Sequence, residues 1–143
     1  MTDNWLERTT LLLGEEKLEQ LKRASVLVVG LGGVGAYAAE MLVRSGIGKM
    51  TIADSDCVGE SNINRQIIAL HSTVGKLKTE VAAERARDIN PDIEVKVHNV
   101  FYLPETASEF DFSQYDYVVD AIDTVSGKLA LIEQAKQANV HVI

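Results

Sequence analysis

The chain has 143 residues, 46% of them hydrophobic, with a single cysteine and a formal net charge of −7. That length suits one domain with its own core, and one cysteine excludes both an internal disulfide and a thiolate metal cage built from this chain. The acidic balance argues against a general polyanion binder, so a nucleic-acid partner would have to meet a local basic patch or a part of the protein outside this chain.

Taken in chain order, MTDNWLERTT has neither a basic leader nor an apolar signal core, and no later window approaches the ~20 consecutive apolar residues of a membrane span, so a cytoplasmic location is expected. NWLERTTLLLG carries apolar residues at helical spacing and stops at Gly14, and EEKLEQLKR sets Leu18 and Leu21 on one face among charges. Two short helices are expected there, an N-terminal helical segment over residues 1–24 with Trp5 as its anchor. SVLVV predicts a strand buried on both faces, and a glycine turn follows it directly. Val34, Tyr37, Ala38, Met41 and Leu42 then recur at the spacing of one helix face and predict the buried stripe of a helix running to SGIG.

KMTIAD is a second strand, and the polar SDCVGESNINRQ after it is too long and too specific for a mere connector. GKLKTEVAAERARDIN predicts a helix closed by Pro91, and IEVKVHNV alternates as a strand with one wetter face. LPETASEF reads as a short helical turn, YDYVVDAID as a buried strand opening into a polar loop, and SGKLALIEQAKQA as a helix. The last run, QANVHVI, reads as a strand with no turn signal or polar tail, the mark of a fragment. Strands alternating with helices predict an α/β fold over residues 25–143, a Rossmann-like, mostly parallel sheet with helices on both faces. Ligands bind such sheets at the carboxyl ends of the strands.

Gly30, Gly32, Gly33 and Gly35 satisfy G-x-G-x-x-G between a predicted strand and a predicted helix, where missing side chains let backbone N–H groups and a helix amino end approach phosphate. Asp54 ends the second strand, 19 residues after Gly35, where a carboxylate accepts hydrogen bonds from a ribose. A dinucleotide and ATP look alike at this point, and glycines that only let a helix pack closely are the duller alternative.

The next residues separate these ligands. Asn62, Arg65 and Gln66 in SNINRQ, with Lys76 and Lys78 in STVGKLKTE, form a second polar and cationic cluster that a nicotinamide dehydrogenase does not need. A site that transfers an adenylyl group does, because charge builds on the departing pyrophosphate. Asp120 and Asp123 in VVDAIDT lie at the end of the fourth predicted strand, where either can hold Mg²⁺ against those phosphates. Each residue also has a plainer reading, the lysines as solvated helix charges and Asp120 as a helix-entry cap.

The combination of VLVVGLGGVG, IADSD, SNINRQ, TVGKLKTEVA with INP, and VVDAIDT resembles the ThiF/MoeB/HesA superfamily, bacterial relatives of ubiquitin-activating enzymes, in unbroken order over residues 5–143. The resemblance implies adenylation of a carboxylate with ATP and Mg²⁺, usually in a homodimer. It implies that Gly32 and Gly33 pass close to the phosphates, Asp54 binds the ribose, Arg65 and Lys78 stabilise the departing charge, and Asn62 and Gln66 shape the pocket. Asp123 takes the place of the Mg²⁺-associated aspartate ahead of Asp120, and Arg8 resembles an N-terminal arginine used across the dimer interface.

Within the superfamily, GIGK, NRQIIAL and VVDAIDTVSGKLALI look most like the tRNA threonylcarbamoyladenosine dehydratases. That implies a modified adenosine of tRNA as substrate, activated as an acyl-adenylate and closed to a cyclic, dehydrated form. The resemblance also implies that the C-terminal half of the fold lies beyond Ile143, along with any zinc-binding cysteine pairs. Two other functions share every residue named: adenylation of a ubiquitin-like sulfur carrier protein, and an inactive nucleotide-binding or dimerisation module. Cys57 has no histidine or basic neighbour at a spacing that would activate its thiol, His71 reads as a loop or helix-end residue, and His98 and His141 have no evident partners.

Overall fold

The computed structural model describes residues 4–143. Five strands form one wholly parallel sheet: β1 (Ser25–Val29), β2 (Lys49–Ala53), β3 (Glu94–His98), β4 (Tyr117–Asp120) and β5 (His141–Val142), in the order β3-β2-β1-β4-β5. Successive connections run outward from β1 on one side and from β4 on the other, so the chain reverses direction between these two neighbours. A crevice is expected there. Register places Val29 opposite both Ala53 and Asp120, so the three central strands end level.

Alternation along β1 builds two cores. Val26 and Val28 face α3 (Gly35–Arg44) and α4 (Lys78–Ile89), while Leu27 and Val29 face α5 (Val125–Ala138) and an aromatic segment holding Tyr102, Phe110, Phe112 and Tyr115. The helices α1 (Glu7–Leu13) and α2 (Glu15–Arg23) sit at the amino end of the sheet. Leu6 and Leu18 pack there against Gly46, and the end of α2 presses on Gly48, where a Cβ would lie 1.7 Å from the Lys22 carbonyl.

Two expectations need correction, that of Trp5 as an anchor and that of the buried stripe on α3. Trp5 is half-exposed and Leu6, only 1% exposed, anchors the N-terminal segment. The leucines of α1 face outward, and no residue of that helix is buried. Most of the apolar stripe expected on α3 is also outside: Val34, Tyr37 and Met41 are exposed, whereas Ala36, Ala39, Glu40 and Val43 are buried. Close approach to the sheet selects small side chains over the most hydrophobic ones.

The aromatic segment is tied to α5 by Gln134, whose amide donates to the Ala107 and Phe110 carbonyls and whose oxygen accepts from the Tyr102 hydroxyl. Burial pushes the Tyr102 hydroxyl up from 10.0 to about 12 and raises Tyr115 as well. Between pH 10.0 and about 12 the unfolded chain has lost a tyrosyl proton that the folded chain keeps, so rising pH favours unfolding. Tyr102→Phe is expected to remove on the order of 2 kcal/mol of that alkaline loss, read as the difference in denaturant midpoints between neutral and high pH.

Candidate functional site

The level carboxyl ends of β1, β2 and β4 open into a cleft of about 730 Å³. Gly30, Gly32, Gly33, Asp54, Asn62, Arg65, Gln66, Lys78 and Asp123 all line it. Five separate stretches of chain thus converge on one space.

The glycines divide into two kinds. Gly30 has φ +93° and a Cβ there would lie 2.5 Å from the Ala121 carbonyl, while a Cβ on buried Gly35 would lie 1.7 Å from the Gly30 carbonyl. These two close the turn against the strands and start α3. Gly32 and Gly33 meet nothing nearer than 3.8 Å, so their bareness leaves backbone open to the cleft instead.

Asp54 holds this turn in place. It is buried, accepting from the Leu31 N–H at 2.8 Å and, through its other oxygen, from the Asp56 N–H at 2.8 Å. The Asp56 carbonyl in turn accepts from the Lys78 N–H at 3.0 Å, which links the turn after β2 to the start of α4. Lys78 is 5% exposed, and its ammonium lies 3.9 Å from the Asp56 carboxylate.

Beside the glycine turn, Asn62 accepts from the Gly59 N–H through its side chain and from the Arg65 and Gln66 N–H groups through its carbonyl. That tight turn presents Arg65, whose guanidinium is tethered to the Ser61 carbonyl and the Asn64 side chain. Gln66 is buried, with an amide oxygen that has no donor among the described residues.

The two acids after β4 have different surroundings. Asp120 accepts from the Ile122 N–H and the Lys128 ammonium and does not line the cleft. Asp123 is exposed on the cleft wall, without a hydrogen-bond or ion-pair partner among the described residues. Among the described residues the charged lining is Asp54, Asp56 and Asp123 with Arg65 and Lys78, so a polyphosphate entering this cleft brings more negative charge than its side chains balance. A free carboxylate beside such a ligand suits Mg²⁺, which binds through one or two carboxylates plus phosphate oxygens. No group of three or more acids, histidines or cysteines that could hold a metal ion occurs among the described residues.

Some expected residues lie elsewhere. Lys76 sits in the exposed turn before α4 and does not line the cleft. Arg8 is on α1, at the amino end of the sheet and away from the cleft of its own chain. Cys57 is an exposed thiol outside the cleft. His98 packs on Phe110 with ring centroids 4.8 Å apart, His141 stacks on Tyr117, and no histidine lines the cleft. Phe101, Tyr102 and Leu103, which sequence reasoning did not select, supply a further wall. Their position follows from β3 pairing with β2, which brings the chain after β3 beside Asp54.

A ThiF family model matches residues 6–143. The tRNA threonylcarbamoyladenosine dehydratase of Haemophilus influenzae is 45% identical over 128 residues, 90% of this chain and 49% of that protein, and that of Escherichia coli is 43% identical over 146 residues, 100% and 54%. The sulfur carrier protein adenylyltransferase of Thermus thermophilus is 40% identical over 111 residues, 78% and 41%. In three dimensions, the E. coli tRNA N6-threonylcarbamoyladenosine dehydratase crystallised with ATP matches with a TM-score of 0.93 at 44% identity, over 99% of this chain and 59% of that one. The chain therefore spans about half the length of the curated relatives it matches.

Proposed function

The chain belongs to the ThiF family, and from that premise we propose that it binds ATP with Mg²⁺ and adenylates a carboxylate, that of threonylcarbamoyladenosine in tRNA, which then closes to its cyclic, dehydrated form in the cytoplasm. The observation that carries this reading is the convergence of the glycine turn, Asp54, Arg65, Lys78 and Asp123 on one cleft.

In this reading the N–H groups of the glycine turn and the amino end of α3 receive the phosphates. Asp54 retains lone pairs for a ribose hydroxyl beyond the two backbone N–H groups it accepts. The substrate carboxylate is ionised at neutral pH and needs no base. Its oxygen attacks the α-phosphorus, the bond to the bridging oxygen breaks, and pyrophosphate leaves with the electron pair. Arg65 and Lys78 stabilise that developing charge. Asp123 would hold Mg²⁺, which when bound neutralises phosphate charge.

A nucleophilic atom of the same nucleoside then attacks the acyl carbon at high effective concentration, gives up its proton to solvent and expels AMP. AMP carries off the carboxylate oxygen, so the nucleoside loses one water in total. Arg8 does not line the cleft of its own chain. We assign it to the cleft of a second copy, with residues 1–24 as the segment that delivers it in a homodimer.

The test is nucleoside mass analysis of tRNA bearing threonylcarbamoyladenosine after incubation with the full-length protein, ATP and Mg²⁺. Loss of one water that depends on ATP is the expected result. An unchanged nucleoside, with a tRNA that a known dehydratase converts, would move the assignment to a sulfur-carrier adenylyltransferase. The 40% identity to the Thermus thermophilus enzyme keeps that second reading behind the dehydratase one, and adenylation of a carrier protein's C-terminal tail would establish it.

A further inference from the structure

The helices α3 and α4 meet through small side chains. Ala36 and Ala39 on the first, with Ala82 and Ala86 on the second, are buried in one cluster and line a single small cavity. Such surfaces have shallow ridges and grooves, so they resist sliding and rotation weakly. A directional contact at the same place has a correspondingly large influence on register.

Glu40 supplies that contact. Its side chain is 3% exposed, and one carboxylate oxygen accepts from the Arg85 Nε on α4 at 2.8 Å and from the Arg44 guanidinium, one turn along α3, at 3.1 Å. The other oxygen is buried and has no partner among the described residues. A carboxylate this far out of water is costly, and buried ion pairs often add little net stability over apolar replacements. Geometry is the better account of its presence.

Both helices deliver groups to the cleft at their amino ends. Gly35 begins α3 five residues before Glu40, directly after the glycine turn, and Lys78 begins α4 seven residues before Arg85, about two helical turns. Neither Glu40 nor Arg85 lines the cleft. We propose that Glu40, acting through Arg85, is a positioning residue that fixes α4 against α3 and so sets the spacing between the Lys78 ammonium and the glycine turn for a bound polyphosphate. This inference rests on reading the cleft as an ATP site.

ATP with Mg²⁺ reaches both the turn and Lys78, whereas adenosine has no phosphate to reach either. The experiment is calorimetric titration of the protein and of its Arg85→Gln and Glu40→Gln variants with each ligand. Arg85 has a side chain 39% exposed, so its variant tests the pair even where Glu40→Gln fails to fold. Both substitutions are expected to weaken ATP about tenfold and adenosine by less than about twofold, because misplacement of a binding group acts only on the ligand that uses it. Retained ATP affinity, or equal losses for both ligands, would overturn the proposal, the second by showing a purely structural role. Failure of the unaltered protein to bind ATP overturns the ATP reading and this one together, and is distinct from variants that match a protein that does bind.

Discussion

Lys78→Met is expected to weaken ATP binding by about 10- to 100-fold, the range for hydrogen bonds to charged groups, while leaving the melting temperature unchanged or raised. The ammonium is nearly withdrawn from water, yet its one charged partner among the described residues is Asp56, at 3.9 Å and itself 57% exposed. A buried charge so thinly compensated costs stability, and methionine keeps most of the side chain's volume without it. An anionic ligand in the cleft would supply the partner that the described residues do not. Calorimetric titration and a thermal melt on one preparation check both halves. A variant that binds ATP normally would remove the assigned role, and one that melts several degrees lower would show that the lysine serves the fold.

The contrast between Lys76 and Lys78 shows what a sequence conveys about a site. The sequence puts both at the start of a helix, but Leu77 has extended backbone and α4 begins only at Lys78. Two residues of uncertainty in a helix boundary decide which lysine enters the cleft. Arg65 and Asp123 were legible because the short turns that aim them lie within their own motifs. Phe101 and its neighbours were not, since they reach the cleft only through the pairing of β3 with β2. The strands themselves were readable, because burial on both faces requires unbroken apolar runs such as SVLVV.

The face of α3 was misread for a physical reason of the same kind. Hydrophobic spacing ranked Tyr37 and Met41 above Ala36 and Ala39, but the helix starts so close to β1 that only small residues fit between them. Glu40 was unreadable as a buried group, because its pair with Arg44 one turn along resembles an ordinary exposed helix pair, and Arg85, which holds it from α4, is 45 residues away. Local pattern reports which residues prefer burial. The turn geometry decides which of them have room.

Gly35→Ala is expected to destabilise the fold by about 3–5 kcal/mol, near the upper end for single substitutions. The added Cβ would sit 1.7 Å from the Gly30 carbonyl oxygen and 2.7 Å from its carbon, and both obstacles are backbone that no rotamer change can clear. Relief requires α3 to retreat from the sheet, opening the core at Ala36 and Ala39. Gly33→Ala, only two positions earlier, adds the same methyl where the nearest atoms are 3.8 Å away, at ordinary contact distance. That variant should unfold at the same denaturant concentration as the unaltered chain but bind ATP about tenfold more weakly, because the methyl occupies space through which the turn's N–H groups meet phosphate. Denaturant unfolding and ATP titration of the two variants therefore separate the two demands on the glycine motif. Equal stability of both would mean the turn can shift as a unit. Equal ATP affinity for Gly33→Ala and the unaltered chain would mean the phosphates lie elsewhere in the cleft.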